Sequence, residues 1–189
     1  MIGHNRGPSM EAGTAWRTIC WAKAREALLP VLPIEVVRLR VRRAADLGLD
    51  YRTYASVRAQ TGHDVVAFLF SSNALRVTPQ HLRMPDPVVA KLSGLRAERV
   101  GLPVGRLDPV LLAVWNPELD RSEAAPPLWA TFGEARQRLR EILGRVSGDR
   151  VLLVGDQPLE AEWVAAGGLA GYLIADRYFG PAPADLGRS

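Results

Sequence analysis

Four short apolar runs each end in residues that can do chemistry. Val65–Phe70 runs into Ser71, Ser72 and Asn73, and Val110–Trp115 into Asn116. Arg150–Val154 is followed by Gly155 and Asp156, and Gly171–Ala175 by Asp176 and Arg177. In a parallel sheet, ligands sit beyond the carboxyl ends of the strands, so these residues would share one edge. Hydroxyls, an amide and carboxylates near a helix N-terminus suit a phosphate and a divalent cation. The competing reading is local. Ser71 and Asn73 would cap a helix, and Asp156 would cap the helix that Pro158 begins, which is the commoner role of such residues.

A second constellation is basic. Residues 1–62 hold ten basic and five acidic side chains, net +5, whereas the remaining fourteen basic and fifteen acidic ones net −1. The +4 of the whole chain is therefore a property of its first third. Such asymmetry points to a nucleic acid or an acidic protein surface as partner; a solvated basic helix face is the plainer reading. Other chemistry has less support. The single cysteine, Cys20, excludes an internal disulfide and a zinc site built on cysteine pairs. The three histidines, His4, His63 and His81, argue against a histidine-rich metal centre. The five tryptophans (Trp16, Trp21, Trp115, Trp129, Trp163) are expected in core and interdomain packing.

The elements that would position these residues follow from periodicity and punctuation. Residues 1–9 read as a flexible leader and 10–62 as a basic segment of about three helices. Those helices run over about 10–29, 33–47 and 51–60, with stops at Pro30, Gly48 and Gly62 and a cap at Asp50. Residues 63–178 read as a Rossmann-like α/β unit with a mostly parallel four-stranded sheet, the strands being the four runs above. Helices are expected from Asp86-Pro87 to about Val100, stopped by Gly101, from Thr131, which opens a Thr-x-x-Glu capping box, to about Leu143, and from Pro158 to Gly167. Residues 118–130 read as a loop and 179–189 as a loose tail. No apolar stretch approaches the ~18 residues of a membrane span, and residues 1–8 have no apolar core of an export signal. A reducing cytoplasm is the expected compartment.

Two of these segments resemble known families. Val151-Leu152-Leu153-Val154-Gly155-Asp156, with the following helix ending at Gly167-Gly168, resembles the acidic motif of haloacid-dehalogenase-type phosphohydrolases. Phe68-Leu69-Phe70-Ser71-Ser72-Asn73 resembles the strand of that superfamily that ends in Ser or Thr and then Asn. The resemblance implies that Ser72, with Asn73, binds phosphate and that Asp156 holds magnesium. Asp176 is the one further carboxylate expected at the same edge, since Asp64 and Asp108 precede their strands. The chain departs from that family in having no Asp-x-Asp pair to supply the nucleophile, and its second acid is displaced to Glu160.

Ala44 through Arg58 resembles a bacterial helix-turn-helix, with Gly48 in the turn and Tyr54 and Val57 facing inward. That resemblance leaves Tyr51, Arg52, Thr53, Ser56 and Arg58, with Arg43 on the preceding helix, to reach bases and phosphates. Ile2–Pro8 is similar to a short N-terminal motif of alphaproteobacterial and phage-derived proteins. The leading expectation is a non-catalytic cytoplasmic protein that binds nucleic acid or a protein partner through its basic half. The alternative is a magnesium-dependent phosphohydrolase of degenerate type.

Overall fold

The computed structural model describes residues 32–181. The expected leader, the helix over 10–29 with Cys20, Trp16 and Trp21, and most of the tail lie outside the described residues. The chain divides into two compact units, Met1–Arg38 and Leu39–Ser189. In the first, Glu35 pairs with Arg38 at 2.9 Å on an exposed helical turn.

Helix α1 (Ile34–Asp46) and helix α2 (Tyr51–Thr61) form where the apolar spacing placed them. Gly48 reverses the chain between them with φ +60°, a left-handed conformation that L side chains resist. Asp50 caps α2, accepting from the Thr53 amide at 2.9 Å. Ala44, Leu47, Tyr54 and Val57 are buried beneath the turn.

Five parallel strands follow: β1 (Ala67–Ser71), β2 (Glu98–Leu102), β3 (Arg121–Ser122), β4 (Val151–Gly155) and β5 (Gly171–Ile174). Helix α3 (Asp86–Ser93) links β1 to β2, and α4 (Pro109–Trp115) links β2 to β3. Helix α5 (Phe132–Leu143) precedes β4, α6 (Glu162–Gly167) links β4 to β5, and α7 (Ala175–Phe179) follows β5. The spatial order is β3-β2-β1-β4-β5. The chain thus winds outward from β1 in one direction, then returns to β1's other side with β4. Between β1 and β4 lies the point where the winding reverses, the usual ligand crevice of an open α/β sheet.

The two faces of the sheet hold separate cores. Phe68, Phe70, Leu152, Val154 and Leu173 pack with α1, α2, α3 and Tyr178 of α7. Ala67, Leu69, Val100, Val151 and Leu153 pack with α5 and α6. This alternation along β1 and β4, buried on both faces, is why both read as continuous apolar runs.

The α/β class, helices first and then a parallel sheet, is as expected, but the sheet has five strands rather than four. Val110–Trp115 is helix, not strand. Asp108 caps it by accepting from the Val110 and Leu111 amides, Pro109 starts it, and only Leu112 is buried. The second strand instead lies at Glu98–Leu102, where a helix was expected to run on to Val100; that helix ends at Ser93. Gly101, expected as a helix stop, sits mid-sheet because the Leu119 and Leu112 side chains approach within 2.8 and 3.0 Å of where a Cβ would stand. Arg121–Ser122, expected in a loop, pairs with Val100 and Gly101 as the edge strand. Trp163 is core, but Trp115 and Trp129 are 52% and 88% exposed, against expectation. Among the described residues no helix is long and apolar enough to cross a membrane.

Candidate functional site

At the reversal point between β1 and β4, the position open to an anionic ligand is taken by the chain's own Glu160. It sits in a short 3-10 turn (Pro158–Ala161) after β4 and is completely buried. Its Oε2 accepts from Ser71 Oγ at 2.9 Å and from the Asp156 and Gln157 amides at 2.8 and 3.2 Å. Its Oε1 accepts from Asn73 Nδ2 at 2.7 Å. Two loop amides, a hydroxyl and a carboxamide are the donor set of an anion cradle, here satisfied from within. Gly155 makes room: a Cβ there would stand 2.6 Å from both Glu160 Oε2 and the Tyr172 ring. Burial, then the charges of Glu160 and Asp156, push the Tyr172 hydroxyl up to about 12.

Asp156 and Asp176 both reach this edge and feel each other. Burial raises the Asp156 carboxyl above its ordinary value, and the Asp176 and Glu160 charges raise it further, with Arg76 opposing. Asp176, however, pairs with Arg76 at 3.2 Å. Arg76 is held in a left-handed conformation, φ 59°, with its guanidinium also donating to the Gly180 carbonyl. Asp156 is not a helix cap, as was expected of it; Glu160 satisfies the amides there. The acidic edge does not fit magnesium: Glu160 is saturated and Asp176 is paired with Arg76, leaving Asp156 as the one carboxylate of that edge without a partner among the described residues. Among the described residues no three His, Cys, Asp or Glu side chains converge as a metal site.

The remaining strand-end residues are structural. Ser72, expected to bind phosphate, is buried and accepts from the Val104 amide at 3.0 Å, tying β1's end to the loop after β2. Asn116 caps the end of α4 rather than a strand, bonding Leu82, Met84 and Leu112. Asp108 follows β2 instead of preceding a strand, with its carboxylate used as the α4 cap. Asp64 lies before β1, where it takes Arg43 and the Tyr54 hydroxyl.

The basic constellation is divided. Arg43, expected on a nucleic-acid surface, is instead a staple: it donates to Asp64 at 2.9 Å, the Val65 carbonyl at 2.7 Å and the Arg96 carbonyl at 3.0 Å. Tyr51 is half-buried at the start of α2, and Arg58 is half-buried beside Tyr54. Arg52 and Ser56 are exposed, and Thr53 lies between Asp50 and Arg177. Arg52, Thr53 and Ser56 share one feature that sequence reading did not foresee. With Val57 and Gln60 they form one wall of an open cleft of about 600 Å³. Leu152, residues 170–173 of β5 and its approach, and Arg177 form the rest. Among the described residues the cleft is lined by two cations and no acid. Only the fold brings α2 and β5 together, so no local signal announces it. Glu160 did have a signal, its spacing three residues after Gln157, which is that of a capping box.

Neither family models, characterised proteins nor solved structures yield a match to this chain.

Proposed function

We propose that the chain is a non-catalytic binding protein of the cytosol that engages an anionic partner through the exposed face of α2 and the cleft beside it. The observation that carries this is the contrast between two places. At the strand ends, where catalysis or phosphate binding would be sited, Glu160 fills the anion cradle and Arg76 pairs with Asp176. Beside α2, Arg52 and Arg177 overlook an open cleft with no carboxylate in its lining among the described residues. Cations that face an open cleft attract anions from solution, and their attraction falls with salt.

The test is retention of the full chain on heparin and on duplex DNA along a salt gradient. Wild type is expected to be retained at low salt and to elute at clearly higher salt than the Arg52→Ala, Arg177→Ala double variant. Contacts to phosphates or sulfates weaken steeply with salt. Equal elution of wild type and variant would refute the role of this face. Retention on heparin without DNA would assign the partner to acidic protein surfaces rather than nucleic acid.

A further inference from the structure

We infer that the open edge of β5 takes up an extended, acidic polypeptide segment as an added strand, in the cleft overlooked by Arg52 and Arg177. This rests on the reading of the chain as a binding protein for an anionic partner and names that partner's chemistry.

Three observations converge. The first is the edge itself. β5 ends the sheet and, among the described residues, pairs with β4 alone. Ala170, Gly171, Tyr172 and Leu173 all line the cleft. Alternate side chains of a strand point to opposite faces, so consecutive residues line one cleft where the strand's backbone edge faces it. The cleft therefore meets β5 along the side whose N–H and C=O groups have no strand partner among the described residues.

The second is the absence of protection. Sheet edges are normally blunted by shortness, charge or proline. The opposite edge follows that rule, since β3 has two residues and one is Arg121. β5 has four, Gly171-Tyr172-Leu173-Ile174, with neither charge nor proline. Gly171 keeps the approach low, and a Cβ there would meet only the Leu152 side chain, at 3.4 Å.

The third is charge. Arg52 and Arg177 stand over the cleft, and Thr53, Ser56 and Gln60 supply neutral polar groups along its wall. An extended peptide with carboxylates on one side satisfies both the edge and the cations, as in strand-addition recognition. A single-stranded nucleic acid fits less well. It would need aromatic faces for its bases, and the one aromatic in the lining, Tyr172, has its hydroxyl bonded to the Gln157 carbonyl at 3.2 Å.

The experiment titrates the full chain into a fluorescent peptide of alternating Glu and Val, ~8 residues, a strand's usual length. Fluorescence anisotropy reads binding, and hydrogen exchange reads protection of the β5 amides. Three further probes are the Lys-Val counterpart, the Glu-Val peptide N-methylated at alternate residues, and an oligothymidylate of equal charge. The Glu-Val peptide is expected to bind and to slow exchange in β5. Its affinity should fall at least about tenfold on N-methylation, on reversal to Lys, and with either Arg52→Glu or Arg177→Glu. Equal binding of the N-methylated peptide, or unchanged exchange in β5, would overturn strand addition. Tighter binding of the oligothymidylate would overturn the peptide assignment. If no peptide binds while heparin still retains the chain, strand addition fails and the binding-protein reading stands. If heparin retention fails too, both fall.

Discussion

Glu160 Oε2 lies 2.9 Å from Ser71 Oγ, a bond between residues 89 apart in the chain. It joins the end of β1 to the turn after β4 across the place where the sheet's winding reverses. In an open α/β sheet that place is a crevice because the loops on its two sides diverge. Here the loops are drawn together by one carboxylate with four donors on it. The crevice is therefore a structural joint, and the groups that could bind a ligand are spent on stability.

Removing that carboxylate is expected to be costly and informative. Glu160→Ala leaves a hydroxyl, a carboxamide and two amides without an acceptor, and bonds to charged groups are worth ~1.5–3 kcal/mol each. A loss of about 3 kcal/mol, read as a lower urea midpoint, is expected after waters recover part of the donors. The emptied cradle should then take an anion. Millimolar inorganic phosphate is expected to raise the melting temperature of Glu160→Ala and leave wild type unmoved. An equal effect on both proteins would mean that Glu160 does not occupy an anion site.

Gly155 supports the same joint. The β-carbon of Gly155→Ala would stand 2.6 Å from Glu160 Oε2 and from the Tyr172 ring, so both must move. Overpacking of this kind costs ~1–3 kcal/mol. The variant should melt lower than wild type. Combined with Glu160→Ala it should cost less than the sum of the two, because the first clash has gone. Strict additivity in the double variant would disprove the coupling.

Helix α4 offers a test of the one strongly apolar run that is not a strand. In Pro109–Trp115 Leu112 is buried whereas Val114 is 69% exposed. Leu112→Ala should cost ~2–5 kcal/mol as a core deletion. Val114→Ser should stay within ~0.5 kcal/mol. Asp108→Ala, which removes the cap, should cost ~1 kcal/mol. In a strand, residues 112 and 114 would share a face and respond alike, so urea midpoints for these three variants separate helix from strand.

That run also shows where sequence reading reached and where it stopped. Asp108-Pro109 is a cap and first-turn pair that the strand reading passes over, because six apolar residues in succession fit a buried strand as well as a helix lying on the surface. The caps at Asp50 and Thr131 are legible in the sequence because each pairs with a side chain three residues away. β2 was missed because Gly101 resembles a stop; the leucine side chains that exclude a Cβ there come from α4 and from Leu119. β3, two residues long, has no local signature and exists only through its register with β2. Of the candidate site, the strand-end residues around the reversal point were legible as a group. Their partners were not, because Glu160, Arg76 and Arg43 act through contacts that only the folded chain creates.

The last prediction concerns pH and follows from the sign of one shift. Asp156 has its carboxyl raised above the ordinary 3.8, first by burial, then by the Asp176 and Glu160 charges, against the pull of Arg76. The folded chain therefore holds this proton more tightly than the unfolded chain does. Stability falls as pH rises from 3.8 through the folded midpoint, and the penalty is fully present above it. Asp156→Asn removes the penalty, so it should gain stability over wild type near neutral pH, with the gain shrinking as pH drops below 3.8. Glu118 and Asp120 carry the opposite sign. Hydrogen bonds from Arg83 and Arg99 lower them from 4.5 and 3.8, so their contribution is present above those values and lost on acidification. Subtracting the Asp156→Asn stability curve from that of wild type cancels those shared losses and isolates the Asp156 contribution. A direct reading comes from the carboxyl carbon of Asp156 followed by NMR across the same range. Its midpoint should lie above 3.8, drop in Asp176→Asn, and rise in Arg76→Gln. A midpoint that ignores both substitutions would separate Asp156 from the acidic edge. The Arg76–Asp176 pair would then join the segments after β1 and β5 without acting on Asp156.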